Sequence, residues 1–118
     1  TGCLFVTKHK IVLVPFPFDD LTGNKVRPAV CLTDPIGPHR HVVVAFITSR
    51  IPPELLASDF VIRMDGDGFV TTGLRVSSTI RLHRLMTLTT GMMVRELGQI
   101  PESMAADVEE RLRQLFGL

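Results

Sequence analysis

Two short runs place polar groups at the ends of strongly apolar segments. Arg27-Pro28 stands directly before Ala29-Val30-Cys31-Leu32, and Thr48-Ser49-Arg50 directly follows Val42-Val43-Val44-Ala45-Phe46-Ile47. An apolar run that buries itself fixes the residue at its end, so a guanidinium and a hydroxyl would both emerge from rigid elements. Arginine presents a planar fork of donors suited to phosphate oxygens. A third run alternates, with Arg75, Ser77, Thr79, Arg81 and His83 on one parity. In an extended strand that parity is one face, displaying hydroxyls and cations together. Taken singly, each of these groups also reads as a solvated side chain, which is what most exposed polar residues are.

Other chemistries find no support. There is no glycine-rich phosphate loop, nucleophile elbow or His-Glu-x-x-His motif. Cys3 and Cys31 lie far apart and form no Cys-x-x-Cys pair. Cys31, within an apolar run, reads as a buried small hydrophobe. His39-Arg40-His41 puts two imidazoles on one side of an extended segment, but no third ligand lies nearby and Arg40 repels a cation, so a solvated loop rim fits better than a metal site. With no Trp, no Tyr and seven Phe, any stacking on nucleobases would use Phe, Arg or His.

The chain that must position these groups has 118 residues, which suits one domain spanning 1–118. At 45% hydrophobic and 21% charged it has a globular composition. The formal net charge of +1 excludes a polybasic protein that coats nucleic acid by bulk charge. Charge is nevertheless segregated along the chain. Residues 1–50 and 71–95 carry net +3 and +4, whereas 51–70 and 96–118 each carry −3. One basic face built from the first and third segments is one outcome, and scattered charge is the other. The apolar runs are well short of the roughly 20 residues that span a bilayer. No charged segment leading into a long apolar one opens the chain, so a cytosolic domain is expected, and Thr1 in place of Met points to a processed or truncated start.

The pattern predicts mostly β structure. Lys10–Val14 reads as a strand that ends in Pro15-Phe16-Pro17-Phe18, hence at a sheet edge or a bend, because proline donates no ladder hydrogen bond. Asp19–Lys25 is a turn-rich loop, Arg27–Thr33 a strand, and His41–Ser49 a strand buried on both faces. Asp65-Gly66-Asp67-Gly68 marks a turn, and Leu74–Thr89 reads as one long half-exposed strand. Residues 92–100 fit helix and strand equally. Residues 101–116 form a helix opened by Pro101 and closed by Gly117. Its buried stripe is Met104, Val108, Leu112 and Leu115, with Asp107–Arg111 and Glu109–Arg113 pairs at i,i+4 spacing on the exposed side. Short strands, proline-rich bends and a lone terminal helix predict a small, partly open barrel packed by that helix.

At this point the chain resembles a known family. Ile11–Phe18, Arg27-Pro28-Ala29-Val30, Ala45-Phe46-Ile47-Thr48-Ser49 and Gly73-Leu74-Arg75-Val76-Ser77-Ser78 look like blocks of the MazF/PemK toxins of bacterial toxin–antitoxin pairs, in family order and spacing over about residues 9–116. The resemblance implies a mainly β chain with a C-terminal helix, folded as an SH3-like, partly open barrel of the MazF/Kid/CcdB type. It further implies a cytoplasmic homodimer, without cofactor or metal, that cleaves single-stranded RNA by 2′-hydroxyl attack to a 2′,3′-cyclic phosphate. A cognate antitoxin would lay a flexible segment across the RNA groove.

Carried over residue by residue, the resemblance makes Arg27 and Thr48 the catalytic pair. It assigns RNA contacts to Lys25, Ser49, Arg75, Ser77, Ser78 and Arg81, with Lys25 in the loop that gates the groove. Two positions depart from the family pattern. His9-Lys10 replaces the usual Gly-Asp, and His83 stands where some relatives carry an acid. No carboxylate occurs between Asp67 and Glu96, so His83, with an intrinsic pKa of about 6.5, becomes the candidate general base. The alternative from a different class is a CcdB-like toxin that binds and poisons DNA gyrase, since fold alone does not separate the two. A degenerate binding module kept for its antitoxin contacts is a third.

Overall fold

The computed structural model describes residues 6–15 and 26–118. They build one six-stranded antiparallel sheet, two α-helices and one 3-10 turn, Thr90–Met92, between the fifth and sixth strands. In chain order the elements are β1 (Lys10–Pro15), β2 (Val26–Cys31), β3 (His41–Thr48), β4 (Asp59–Ile62), α1 (Phe69–Thr72), β5 (Ser78–Thr89), β6 (Arg95–Gln99) and α2 (Glu102–Phe116). Strand order across the sheet is β4-β5-β3-β2-β1-β6. The sheet curls without closing, so β4 and β6 are its edges, and the expected mainly β, partly open barrel with a C-terminal helix is what the chain forms. Among the described residues no helix is long and apolar enough to cross a membrane.

β3 lies near the middle and is apolar on both faces, as its unbroken run predicts. Val42, Val44 and Phe46 join Val12, Val14, Ala29, Cys31 and Leu88 on one face. Ala45 and Ile47 join Ile11, Val30, Ile80, Leu82 and Val108 on the other. Each fully buried aliphatic side chain contributes roughly 1.5–3 kcal/mol, so two cores on one strand hold it firmly. We call the Phe46 side face A and the Ile47 side face B. Helix α2 covers face B through Val108, with Met104 and Leu112 beside it.

Several expectations are refined. β1 is an inner strand, flanked by β2 and β6; Pro15 is its last residue and is tolerated because the ladder ends there. β2 ends at Cys31 rather than Thr33. Residues 95–99 resolve as strand, because β1 would otherwise leave its open edge unpaired. β4 and the single turn α1 are additional elements. The expected strand Leu74–Thr89 begins only at Ser78, with 74–77 an irregular segment. Within β5 the register to β3 shifts between Ala45 and Phe46, whose partners are Leu85 and Arg81. Residues 82–84 bulge out, the parity flips, and Leu82 and Leu85 consequently serve the same core.

Helix α2 matches its expected span, with Pro101 at the cap and Gly117 in the left-handed conformation after the last turn. Val108 and Ala105 are its most buried residues, while Leu115 is exposed. Asp107 accepts Arg111 Nε at 2.9 Å as the spacing predicts. Glu109 does not take Arg113; it turns instead to Lys8 Nζ at 3.2 Å and His9 Nε2 at 3.3 Å, tying the segment before β1 to the helix.

Candidate functional site

Arg27 and Thr48 belong to adjacent strands. The β2–β3 ladder pairs Cys31 with Val44, Val30 with Ala45 and Ala29 with Phe46. Continuing that register by two residues sets Arg27 opposite Thr48, and both positions lie within their strands. Because side chains alternate, both share face A with Ala29 and Phe46. Arg27 is half-buried at the β1 side, where its ladder partner is Val14. Thr48 is also half-buried. Neighbouring strands lie about 4.8 Å apart, so the two positions are neighbours on one face.

The end of β3 is braced. Thr48 Oγ1 accepts the Arg50 amide at 3.4 Å, so its own hydrogen is left to point elsewhere. Thr79, directly opposite Thr48 and fully buried, donates its hydroxyl to the Arg50 carbonyl at 2.9 Å. This clamp explains why the alternating face read from the sequence is not an open row of hydroxyls. Thr79 spends its hydroxyl on the backbone and fixes the turn that carries Thr48.

On face B, at the same end of the sheet, lies an open groove of about 380 Å³. Arg95, Leu13 and Pro28 form a cross-strand row along its floor, since Leu13 pairs with both neighbours. Leu97, Leu74 and Val76 add apolar walls, and Gly73, Ser49, Ser78 and Arg75 complete the lining. Gly73 has φ +73°, and a Cβ there would lie 2.1 Å from the Leu97 carbonyl oxygen, so only glycine lets the 73–76 segment close on β6. Pro28 and Ser49 in the groove are the chain neighbours of Arg27 and Thr48. Groove and pair therefore back onto each other across the sheet end.

The remaining sequence candidates are distributed unevenly. Ser49 and Arg75 line the groove and are exposed. Ser78 also lines it, but is buried and donates to the Val76 carbonyl at 2.8 Å. Ser77 Oγ accepts the Met64 amide at 2.8 Å and so holds the 74–77 segment to the β4 exit. Arg81 lies on face A, yet its Nε is drawn to Asp59 Oδ1 at 3.0 Å, on the strand away from Thr48. His83 sits in the bulge, between Arg81 and Leu85, the ladder partners of Phe46 and Ala45. Its Nδ1 is 3.4 Å from Ser58 Oγ, just before β4, which lies on the other side of β5 from the strand carrying Thr48. Lys25 lies outside the described residues, as does nearly all of the expected gating loop.

Two residues escaped the sequence reading. Arg95 falls in the segment where helix and strand fitted equally, so the direction of its side chain was undefined. Asp59, 3% exposed, organises Arg81 and also accepts the Leu56 amide at 2.9 Å; an acid amid apolar residues was its sole signal. Among the described residues no group of three or more His, Cys, Asp or Glu is placed to hold a metal ion, and the His39 and His41 rings stand 5.8 Å apart at the loop rim.

Comparison with known proteins is consistent with this architecture. The Mycobacterium tuberculosis toxin MazF-mt6 superposes with TM-score 0.70 at 22% identity, over 92% of this chain and 97% of that one. The MazE–MazF structure from Deinococcus radiodurans superposes with TM-score 0.68 at 17% identity, over 98% and 99% of the two chains. An endoribonuclease in complex with its cognate antitoxin from a mycobacterial species gives TM-score 0.68 at 13% identity, over 97% of each chain. No individual curated protein is similar enough in sequence to match. Identities this low speak to the fold alone, but the family model for PemK-like, MazF-like toxins of type II toxin–antitoxin systems matches residues 7–116. The chain belongs to that family.

Proposed function

We propose that this toxin is an endoribonuclease that cuts single-stranded RNA without a metal, using Arg27 and Thr48 on one phosphate. The observation that supports the reading is their place on adjacent strands, two residues past the Ala29–Phe46 ladder pair on the same face, at the braced end of β3. The ribose 2′-oxygen attacks the adjacent phosphorus, forming the O2′–P bond while the P–O5′ bond breaks. The 2′-hydroxyl proton passes to solvent, and the departing O5′ takes one up. Negative charge grows on the nonbridging oxygens in the transition state. A fixed guanidinium and a hydroxyl donor hold that charge more tightly there than in the ground state, which is what lowers the barrier. The products are a 2′,3′-cyclic phosphate and a 5′-hydroxyl.

This assignment leaves His83 outside the reaction, because it sits in the β5 bulge beside Ser58. A cognate antitoxin, a homodimer and a cytoplasmic setting belong to the same proposal, supported by family membership and by the antitoxin complexes of similar folds. The test is incubation of the purified protein with mixed-sequence RNA in chelator, beside Arg27→Ala and Thr48→Ala. The parent is expected to generate cyclic-phosphate ends and each variant to lose at least ~10²-fold in rate, the usual penalty for removing a transition-state donor. Intact RNA, together with inhibition of DNA supercoiling, would replace this reading with that of a gyrase-binding toxin.

A further inference from the structure

We infer that Thr79 is the positioning residue for Thr48: its buried hydroxyl fixes residue 50, and residue 50 in turn fixes the rotamer of Thr48 and the direction in which its hydroxyl donates. The inference rests on the reading of Thr48 above and names what in this chain holds that group in its working orientation.

Thr79 is fully buried in a strand flanked on both sides, with Thr48 as its ladder partner in β3 and Val61 as its partner in β4. Directly opposed residues project to the same face, so Thr48, Thr79 and Val61 form one row on face A. Valine would fill such a position with no polar atom to satisfy. A hydroxyl there must hydrogen-bond, because a buried donor left unpaired is costly. Thr79 Oγ1 donates to the Arg50 carbonyl at 2.9 Å, across 29 positions of sequence. Ser78 and Thr72, by contrast, donate to carbonyls two and three residues back, which shapes only their own turns. The Thr79 bond joins two strands, and it grips the chain where it leaves β3.

Arg50 is held at both of its backbone groups. Its carbonyl accepts from Thr79, and its amide donates to Thr48 Oγ1 at 3.4 Å. The amide bond is long and by itself weak, so the shorter bond on the carbonyl is what keeps the amide in place. With one side of its oxygen facing an N–H, Thr48 turns its hydrogen away from residue 50 and donates along one direction. A threonine without such a bond samples more than one χ1 well. A donor that must meet charge growing on a phosphate loses rate whenever it stands in the wrong well. Thr79 is enclosed and meets no RNA; it acts through Thr48.

The experiment compares the parent with Thr79→Val, Thr79→Ser, Thr48→Ala and the double variant Thr48→Ala with Thr79→Val. Single-turnover cleavage of mixed-sequence single-stranded RNA in chelator gives the rate at saturating protein and the half-saturating concentration. Three-bond NMR couplings give the Thr48 χ1 populations independently of activity. Valine keeps the shape of threonine, and the freed Arg50 carbonyl, on an exposed residue, turns to water, so the fold is kept. Thr79→Val is expected to lower the saturating rate about 10-fold, less than Thr48→Ala does, because the Thr48 hydroxyl still visits its working rotamer. The half-saturating concentration should not change, since only the transition state feels the misplaced donor. Thr79→Ser keeps the donor and should restore most of the rate. The double variant should be no slower than Thr48→Ala alone, because Thr79 then has nothing to position. Thr48 should hold one χ1 rotamer in the parent and in Thr79→Ser, and several in Thr79→Val.

Additive losses in the double variant overturn the inference, because they give Thr79 a role apart from Thr48. A single unchanged rotamer in Thr79→Val overturns it too, as does a serine variant as slow as the valine one. Rotamer averaging at Thr48 in the parent overturns it without any variant. A parent that leaves RNA intact but shows the expected couplings removes the ribonuclease reading and keeps the brace.

Discussion

Asp59 and Arg81 are direct partners across the β4–β5 ladder, and their side chains close a 3.0 Å ion pair on the same face. The carboxylate side chain is wholly buried and the guanidinium is 25% exposed. Arg111 reaches over from α2 to donate to the Asp59 and Ala57 carbonyls at 3.0 and 2.9 Å, with its guanidinium 5.8 Å from the Phe60 ring centre. A short edge strand is thus fastened to both sheet and helix by charge as well as by packing. Removing the guanidinium leaves a buried charge without its partner, which is costlier than losing the pair as a whole.

Arg81→Met is therefore expected to destabilise the protein by about 3 kcal/mol, at the lower end for a broken buried pair because Arg81 retains some solvent. The double variant Arg81→Met with Asp59→Leu should recover much of that loss. Urea unfolding of the three proteins checks this. A single variant within ~0.5 kcal/mol of the parent would show that water already compensates the carboxylate.

Glycines 37 and 73 separate two physical causes. Both have φ +73°, but a Cβ at Gly37 meets nothing within 4 Å, whereas one at Gly73 lies 2.1 Å from the Leu97 carbonyl oxygen. Gly37→Ala should cost about 1–2 kcal/mol, the price of a left-handed alanine. Gly73→Ala should cost more, and it should widen or disorder the groove wall as well. Thermal melts give the ranking, and equal values would mean that the 73–76 segment moves aside freely.

Glu109 governs an acid limb of stability. Its hydrogen bond from Lys8, the Lys8 charge and then His9 hold its pKa below the ordinary carboxylate value. A carboxylate depressed in the folded state stabilises above its unfolded pKa of about 4.3, and that stability is lost as pH falls through the folded value. Glu109→Gln should accordingly flatten the stability curve below about pH 4.5 and leave its shape at neutral pH unchanged. The effect is small, since the pair is exposed to solvent, and should fade in high salt. An unchanged acid limb in low salt would count against it.

Thr48 offers a finer test of the proposed chemistry than alanine alone. Serine keeps the hydroxyl, and valine keeps the shape without it. If the hydroxyl donates to the phosphate, Thr48→Ser should retain cleavage within ~10-fold, while Thr48→Val should fall with Thr48→Ala by at least ~10². Single-turnover cleavage rates distinguish these outcomes. Parallel losses in serine and valine would point to packing at the strand end instead of a donated hydrogen bond.

Much of this architecture is legible one residue after another. The unbroken apolar run of β3 implies burial on two faces, the Pro101 to Gly117 span implies α2, and Arg27 and Thr48 draw notice as polar groups at the ends of such runs. These are properties of local periodicity and capping, which neighbours along the chain dictate. Pairing and register are different, because they depend on contacts between residues far apart in sequence. The three-residue bulge in β5 reverses which side chains face the core, so alternation read from Leu74 to Thr89 loses its phase at residue 82. Partner choice followed proximity in the fold: Glu109 took Lys8 and His9 over Arg113, and Asp59 took Arg81. Arg95 acquired a direction only when β6 paired with β1. Long-range hydrogen bonding set these outcomes, since each exchanges one favourable local arrangement for another that packs the whole sheet.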